Sequence, residues 1–516
     1  MDRAVKSRHG TPSTTTRERF GSVTQSPRTL LLGTILLVTA LSAATSYFLT
    51  QLFAVDVVSS LLNTPQDCWL DWGMGIGRHC FSDYTTVVDA GLQSNPWTYE
   101  MTLPWGDYAP LRIGGPGAAF LPHLLFGFPA HLLGVPVLGL IGYLFALTLA
   151  VLSPAIWAAR GAQGLERVVV FVALGAAAVP VWGVIDRGNS AGFIVPVALV
   201  FLVSLRRRHW RLAAIMVILA ALVKLWFVLL VVPLFAARQW RAGGLAVGGV
   251  VASNFAAYLL WPSDFPQTIR QSIDNLSNIS GSFNDLVSLR NVSFGRAFVL
   301  LPDTFSFLTT GGKMPDGFLA GPRSLIGYVI LLVVVVAVLV LGRRIPPVMA
   351  GIAMLATATL FPPLAYYYYL VFVLPIAALL VRDPESPPGV GLFERLRTDG
   401  SSRPAVGFWV SIATALSIAQ IAIPGLVVNA PIFGQNGERG IIGHTPVEFV
   451  TTVIFTPFLW LIACAAIIVS YAKRPAESTD TEELPPAEDG DGTHEPVGSA
   501  PSASQQPATP SSPGEP

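Results

Sequence analysis

Residues 206–241 read RRRHWRLAAIMVILAALVKLWFVLLVVPLFAARQWR, an apolar run that arginines flank on both sides and that Lys224 interrupts. A lysine inside lipid costs several kcal/mol and is usually retained for a function. Because arginine and lysine collect on the cytoplasmic side of a membrane protein, one straight helix cannot place both flanks correctly. The run therefore predicts a hairpin of two short helices, with Lys224 at its outer tip facing a cavity. The alternative is that Lys224 reaches a membrane interface or pairs with a carboxylate.

The composition of the whole chain indicates an integral membrane protein. Of its 516 residues, 52% are hydrophobic and only 12% are charged, and the mean hydropathy is +0.58. Soluble domains carry about 25% charged residues. The formal net charge is +1, and the basic residues lie beside apolar runs rather than in one patch. This pattern argues against a nucleic-acid partner.

Apolar runs that alternate with basic loops predict an all-α polytopic fold in the cell membrane. We expect about twelve transmembrane helices, counting the hairpin as two, and both termini in the cytoplasm. Residues 1–28 and 472–516 contain few large apolar side chains, and we expect both segments to be disordered. The predicted transmembrane domain is then residues 29–471.

Two long segments are predicted to lie outside the membrane, at about residues 54–134 and 262–323. Within the first, the apolar stretch 116–133 predicts a helix along the outer surface, with a full span as the alternative. Residues 406–428 and 449–471 are predicted as the last two transmembrane helices. We therefore expect a functional site on the outer side, where the two loops meet the hairpin.

The first outer loop contains the candidates for chemistry. Asp83 is a candidate general base toward an acceptor hydroxyl, although an aspartate in a loop often only caps a helix or is solvated. Cys68 and Cys80 lie in the same loop, where a disulfide between them would persist, and two free thiols are the alternative. The seven histidines show no metal-ligand spacing, so the sequence predicts neither a metal site nor another cofactor.

Four groups of residues follow one another between Asp83 and Tyr369. They are Asp83-Tyr84 with Ala90, Pro96-Trp97 and Tyr108-Ala109-Pro110-Leu111, then Arg187-Gly188-Asn189, then Ala220-Ala221-Leu222-Val223-Lys224, and then Asn291-Val292-Ser293-Phe294. In order and spacing they resemble motifs of glycosyltransferase family 87, a family of the GT-C superfamily that includes actinobacterial mannosyltransferases dependent on polyprenol-phosphate-mannose. The chain departs from the family pattern at Leu225, where the family has proline, and in residues 361–369, which contain no histidine.

The resemblance implies a GT-C fold and a glycosyltransferase that moves a sugar, with mannose predicted, from a polyprenyl-phosphate donor. The acceptor would be a lipid-linked or cell-envelope glycan on the extracytoplasmic side, and membrane lipids would be further partners. Asp83 would be the base of an inverting displacement. The residues predicted to bind the donor phosphate are Lys224, Arg187, Arg290 and Arg296. The residues predicted to contact substrate are Tyr84, Asn189, Asn291, Tyr108 and Tyr368.

Several alternatives stay open from the sequence. The same scaffold would suit an arabinofuranosyltransferase that uses decaprenyl-phosphoarabinose. A transporter or lipid flippase is a further alternative, although transporters tend to contain internal repeats and the hairpin has no second copy in this chain. Arg290 and Arg296 would otherwise cap a loop helix or meet lipid headgroups. The four tyrosines at 366–369 predict either an aromatic belt at a membrane interface or stacking on a sugar.

Overall fold

The structure is a computed structural model that describes residues 26–53, 81–101, 111–310, 314–398, 401–433 and 441–476. These residues are mostly helical. The helices are α1 Pro27–Phe53, α2 Ser82–Gly91, α3 Leu121–Leu132, α4 Pro136–Ala159, α5 Gly164–Phe171, α6 Val179–Arg187, α7 Ile194–Arg206, α8 Trp210–Val223, α9 Val232–Ala236, α10 Trp240–Tyr258, α11 Gln267–Ser280, α12 Phe283–Val287, α13 Phe294–Phe298, α14 Leu300–Thr309, α15 Ala320–Leu341, α16 Pro347–Leu360, α17 Leu374–Val381, α18 Leu392–Thr398, α19 Pro404–Ile418 and α20 Thr456–Lys473.

Shorter elements connect these helices. The 3-10 helices are Gly117–Phe120, Ser190–Phe193, Leu225–Val231, Pro262–Asp264, Gly342–Arg344, Tyr367–Val373 and Thr452–Phe455, and a π-helical turn covers Val172–Ala176. The strands are β1 Glu100–Met101, β2 Leu111–Arg112, β3 Ala422–Phe433 and β4 Ile441–Thr451, which pair antiparallel as β1–β2 and β3–β4.

Four helices in the described ranges are long and apolar enough to cross a membrane: Pro27–Phe53, Pro136–Ala159, Ala320–Arg344 and Thr452–Lys473. A fifth candidate is the pair Gly164–Ala176 and Val179–Arg187, which is bent by 48°. Six further apolar helices have 10–17 residues. The predicted membrane class is thus supported, whereas the count of about twelve transmembrane helices stays a prediction.

The bend in the fifth candidate has a local cause. Pro180 has no N–H group and cannot donate to the carbonyl of Ala176, four residues earlier. The indole Nε1 of Trp182 donates to that carbonyl instead, at 2.8 Å, which satisfies a group that lipid would leave unpaired. Because of the bend, α6 runs in a different direction from α5. Arg187 is the last residue of α6.

The chain breaks at Lys224, where the backbone is extended (φ −139°, ψ 107°). The following 3-10 helix packs back against α8 and leads to Ala236, whose oxygen lies 3.6 Å from the position of a Cβ on Gly342. In the next helix, a Cβ on Gly351 would lie 2.5 Å from Leu205, just before α8. Both ends of the segment therefore lie at one end of the bundle, with Lys224 at the tip of a hairpin.

Helices α16 and α17 form the centre of the bundle. Every side chain from Val348 to Leu360 is buried, and so is every residue of α17. A helix that is apolar on all sides is expected at such a position. The 3-10 helix Tyr367–Val373 leads directly into α17 and is buried as well, so its tyrosines lie inside the protein.

The two last predicted helices are wrong in their bounds. Helix α19 ends at Ile418 rather than near residue 428, and α20 begins at Thr456 rather than near residue 449. The hairpin of β3 and β4 lies between them. Pro424 and Gly425 disfavour a continued helix because proline lacks the N–H group and glycine has the lowest helix propensity after proline.

Helix α3 occupies the stretch for which the sequence left two alternatives. Together with the 3-10 helix Gly117–Phe120 that leads into it, the helical run has a length of roughly 26 Å, somewhat short of the roughly 30 Å hydrocarbon core of a bilayer. It packs against α2 and α4. The length disfavours the full span, and a position along the outer surface stays a prediction.

Candidate active site

Asp83, in the first turn of α2, is bound by two residues from the end of α6. Arg187 donates two hydrogen bonds to its carboxylate, 2.9 Å from Nε to Oδ2 and 3.0 Å from Nη2 to Oδ1. Nδ2 of Asn189 donates to Oδ2 at 2.7 Å. The side chains of Asp83 and Arg187 are 22% and 16% exposed. Three residues that the sequence indicated separately therefore meet at one partly open place.

The turn after α6 sets this geometry. Gly188 has a left-handed backbone (φ 64°, ψ 34°), a conformation that favours glycine and commonly ends a helix. A Cβ on Gly188 would lie 3.1 Å from Cβ of Tyr84. Oδ1 of Asn189 accepts from the N–H of Ala191 at 2.9 Å. The Asn189 amide thus caps the next helix with its oxygen and positions Asp83 with its nitrogen.

Lys224 lies among aromatic rings. Its Nζ is 5.7 Å from the ring centroid of Trp226 and 5.5 Å from that of Tyr369, distances at which a ring face attracts a cation. The indole Nε1 of Trp226 is buried and finds no hydrogen-bond acceptor within the described ranges. A buried donor of this kind costs free energy unless a partner binds it. Lys224 and Trp226 together therefore offer a positive charge and an N–H group to an anion.

Arg187 lies over a second pair of rings. Its Cζ is 5.2 Å from the ring centroid of Tyr368 and 5.8 Å from that of Tyr366, and these two rings are stacked 5.5 Å apart at 12°. Tyr367, Tyr368 and Tyr369 are all buried. A belt at a membrane interface requires rings that face lipid headgroups, so Tyr367, Tyr368 and Tyr369 are not part of such a belt, while Tyr366 is half-buried. Tyr366 and Tyr368 contact Arg187, and Tyr369 contacts Lys224.

Asn291 and Arg290 hold the segment that carries these tyrosines. Oδ1 of Asn291 accepts from the N–H of Ala365 at 3.1 Å, and Nδ2 donates to the carbonyl of Pro363 at 2.8 Å. The carbonyl of Arg290 accepts from the N–H of Tyr367 at 3.2 Å. Asn291 is 2% exposed, so in this structure its amide anchors the loop rather than facing an open site.

The electrostatic environment keeps Asp83 ionised. Burial raises the pKa of this carboxyl, but the charge of Arg187 and the hydrogen bonds from Arg187 and Asn189 lower it by more, and the charge of Lys224 adds to the decrease. The resulting pKa is below its ordinary value. The effect of Lys224 also means that its ammonium acts on Asp83 across the site.

His123 and Tyr143 support the site and were not indicated by the sequence. The His123 ring is 3% exposed and stacks on Tyr143 at 5.1 Å and 18°. Burial lowers the pKa of His123 to about 4, with the charge of Asp83 opposing this change and that of Lys224 adding to it, so the ring is neutral at pH 7. The Tyr143 hydroxyl donates to the carbonyl of Gly188 at 2.9 Å and thereby fixes the turn beside Arg187.

Arg296, a predicted phosphate-binding residue, is part of a buried ion cluster. Its Nη1 lies 2.6 Å from Oδ2 of Asp303, and Arg323 pairs with the same carboxylate, with Nη1 at 2.7 Å from Oδ2. The side chains of Arg296, Asp303 and Arg323 are 8%, 3% and 1% exposed. Arg296 is therefore buried, and its charge is already balanced by Asp303.

The remaining predicted residues divide into two groups. Tyr84 is 2% exposed, and its ring packs 4.7 Å from that of Tyr143, so it supports the turn from inside. Tyr108, Cys68 and Cys80 lie outside the described residues. Within the described ranges, no group of three or more His, Cys, Asp or Glu side chains is arranged to hold a metal ion.

Trp226 was not predicted from the sequence, and Tyr366 and Tyr369 were predicted only as members of a tyrosine run. For Trp226 a local signal exists, because it follows two residues after Lys224 at the tip of the predicted hairpin. For His123 and Tyr143 no such signal exists, since one polar ring on an apolar helix is usually part of a core.

Comparison with known families bears on this arrangement. The profile of glycosyltransferase family 87 matches residues 116–365, and this confirms the resemblance that the motifs predict. The matched region contains Arg187, Asn189 and Lys224, and it begins after Asp83. Comparisons with curated proteins and with solved structures find no match.

Proposed function

We propose, from the premise that the chain is a GT-C type glycosyltransferase of family 87, that it transfers mannose from a polyprenyl-phosphate donor. The proposed acceptor is a lipid-linked or cell-envelope glycan on the extracytoplasmic side of the cell membrane. The observation that carries the proposal is the bonding of Asp83 to Arg187 and Asn189, with the charge of Lys224 lowering the pKa of the same carboxyl. A carboxylate can take the proton of an acceptor hydroxyl, and two cations can bind the donor phosphate.

The reaction would be a single inverting displacement. Asp83 takes the proton of the acceptor hydroxyl while that oxygen forms a bond to the anomeric carbon of the sugar. The bond from this carbon to the phosphate oxygen breaks, and the polyprenyl phosphate leaves with the electron pair. Lys224 and Arg187 bind the leaving phosphate, Lys224 as a point charge and Arg187 through paired N–H groups.

In this mechanism Arg187 interacts with both the proposed base and the donor phosphate. In the structure both of its hydrogen bonds to Asp83 are made, and a carboxylate held in this way is a weak base because its pKa is lowered. A bound donor phosphate would compete for the guanidinium. Asp83 would then lose part of its stabilisation and become more basic when the donor is in place.

An assay of membranes that contain the full-length protein tests this function. Membranes are incubated with radiolabelled polyprenyl-phosphate mannose or polyprenyl-phosphate arabinose, and the labelled product is identified. Transfer of mannose that Asp83→Asn abolishes is the expected result. Transfer of arabinose but not mannose would show that the sugar is arabinose, while the protein would still be a glycosyltransferase.

The same assay addresses a transporter or flippase. A transporter would move the labelled lipid between leaflets and form no new glycosidic bond. Movement of label without a product, in the wild type and in Asp83→Asn alike, would overturn the proposed enzymatic function.

A further inference from the structure

A pocket of about 740 Å³ lies where α1, α18 and α19 meet. Arg28, near the start of α1, pairs with Glu166 near the start of α5. The bent span that begins with α5 ends at Arg187, beside Asp83. The pocket and the candidate active site therefore lie at opposite ends of one span, and the proposed transfer reaction does not use the pocket.

Two arginines give this pocket a positive charge. Arg403 donates from Nη1 to Oγ of Ser470 at 2.7 Å and from Nη2 to the carbonyl of Arg474 at 2.5 Å, and its Cζ lies 3.8 Å from the ring centroid of Tyr471. All of these partners are neutral. Arg397 is exposed, and the described residues contain no recorded ion pair for either arginine.

Glu394 is the acidic residue in the wall of the pocket, and one of its carboxylate oxygens, Oε2, is buried without a hydrogen-bond partner in the described ranges. Its negative charge opposes part of the positive charge of the two arginines. Its Oε1 accepts from the backbone N–H of Arg28 at 3.2 Å. The pocket wall also contains the first residues of α1 and α19, including Pro27 and Pro404. The first N–H groups of a helix lack partners within the helix and carry a partial positive charge. At the start of α1 these groups already have partners, because the N–H of Arg28 donates to Glu394 and the N–H of Thr29 donates to Oγ of Ser26. The start of α19, which has no side-chain cap, and the two arginines make this end of the pocket suited to an anion.

The rest of the wall is apolar and lies at a membrane boundary. Leu30, Phe408 and Trp409 line it, and the Phe408 side chain is 45% exposed. The candidate span of α1 begins at Pro27, and the candidate span that ends at Lys473 reaches Arg403 through Ser470. The pocket thus has basic residues near the ends of two candidate spans and apolar residues beside them. A phospholipid has the same arrangement, because its phosphate lies at the membrane interface and its acyl chains lie in the hydrocarbon core.

We propose that this pocket binds an anionic phospholipid of the surrounding membrane. The phosphate lies between Arg397, Arg403 and the start of α19, and one acyl chain lies along Leu30 and Phe408. This site is separate from the proposed transferase site and stands whether or not that function is correct.

Native mass spectrometry of the purified full-length protein tests the proposal. The protein is titrated with phosphatidylglycerol and, separately, with phosphatidylcholine of the same acyl chains. We expect phosphatidylglycerol to bind more tightly and its binding to weaken as salt rises. Arg397→Gln should weaken it roughly fivefold, and Arg397→Gln with Arg403→Gln roughly thirtyfold if the two effects add.

Controls separate the site from general surface charge and from loss of fold. Arg211→Gln with Arg241→Gln removes two exposed arginines near the starts of α8 and α10 and should leave the affinity unchanged. Because Arg403 also bonds to α20, Ala405→Trp serves as a second variant that keeps both arginines and fills the pocket; it should reduce binding by a similar factor.

Three results would overturn the proposal. One is equal affinity for the two lipids. Another is an equal loss of affinity in the Arg211 and Arg241 control. The third is binding of glycerol 3-phosphate as tight as that of phosphatidylglycerol, which would assign the site to a soluble phosphate compound instead of a lipid.

Discussion

The guanidinium of Arg187 donates two hydrogen bonds, of 2.9 and 3.0 Å, to the carboxylate of Asp83, although 104 positions separate the two residues in the chain. Such a paired arrangement fixes both side chains in one plane. It also ties the proposed base to a residue suited to bind phosphate.

Asp83→Asn should lower transferase activity roughly 100-fold or more, because the amide cannot take the proton of the acceptor hydroxyl. Asp89→Asn is the matched control, since Asp89 lies in the same helix and is exposed. Sugar transfer in membranes with equal amounts of protein is the measurement. Full activity in Asp83→Asn would exclude this residue as the base.

Arg187→Met should shift the pH dependence of kcat/KM. The Arg187 charge lowers the pKa of Asp83 against the effect of burial, so its removal raises that pKa. The ionised carboxylate is the active form, and activity is lost as pH falls through the pKa. The acid limb of the profile therefore moves to higher pH in Arg187→Met and by less in Arg187→Lys; an unmoved limb in both variants would contradict the coupling.

Lys224→Met should raise the KM for the donor roughly tenfold or more, which corresponds to one hydrogen bond between charged groups. The effect on KM for the acceptor should be smaller. Lys473→Met is the control, because Lys473 ends α20 and lies away from the hairpin tip. Donor KM values equal to wild type in Lys224→Met would remove its phosphate role.

Gly188→Ala should reduce both stability and activity. The left-handed backbone at Gly188 (φ 64°) costs an alanine about 1 kcal/mol, and the new Cβ would press on Tyr84 at 3.1 Å and move Arg187. Gly134→Ala has the same kind of backbone (φ 70°) with nothing within 4 Å. We expect both variants to unfold at lower temperature and only Gly188→Ala to lose activity.

Asp303→Asn should destabilise the protein by about 3–5 kcal/mol, because it leaves two buried arginines without a counter-charge. Arg296→Met should be milder, since Asp303 keeps Arg323. Thermal unfolding of both variants in the same detergent measures the difference. Equal unfolding temperatures for Asp303→Asn and wild type would contradict the role of the cluster.

The sequence predicted which residues belong to the site better than it predicted their contacts. Lys224 stood out as a charge inside an apolar run and Asp83 as a carboxylate in an outer loop, whereas Arg187 and Asn189 were predicted from the resemblance to family 87. A site where the outer loops meet the hairpin was predicted, but the hydrogen bonds that join Asp83 to Arg187 and Asn189 needed the structure. For Asn291 the predicted role differs from the observed one. Its motif predicted substrate binding, whereas its amide bonds to the loop at Pro363 and Ala365.

The sequence by itself determined the membrane class and the break at Lys224, because lipid penalises charge wherever it occurs in a fold. Only the tertiary structure decided that Asp83 pairs with Arg187, that Tyr368 and Tyr369 lie buried beside the cations, and that Arg296 pairs with Asp303. Those contacts join segments far apart in the chain. Their partners are set by how helices pack, and a local pattern of residues does not contain that information.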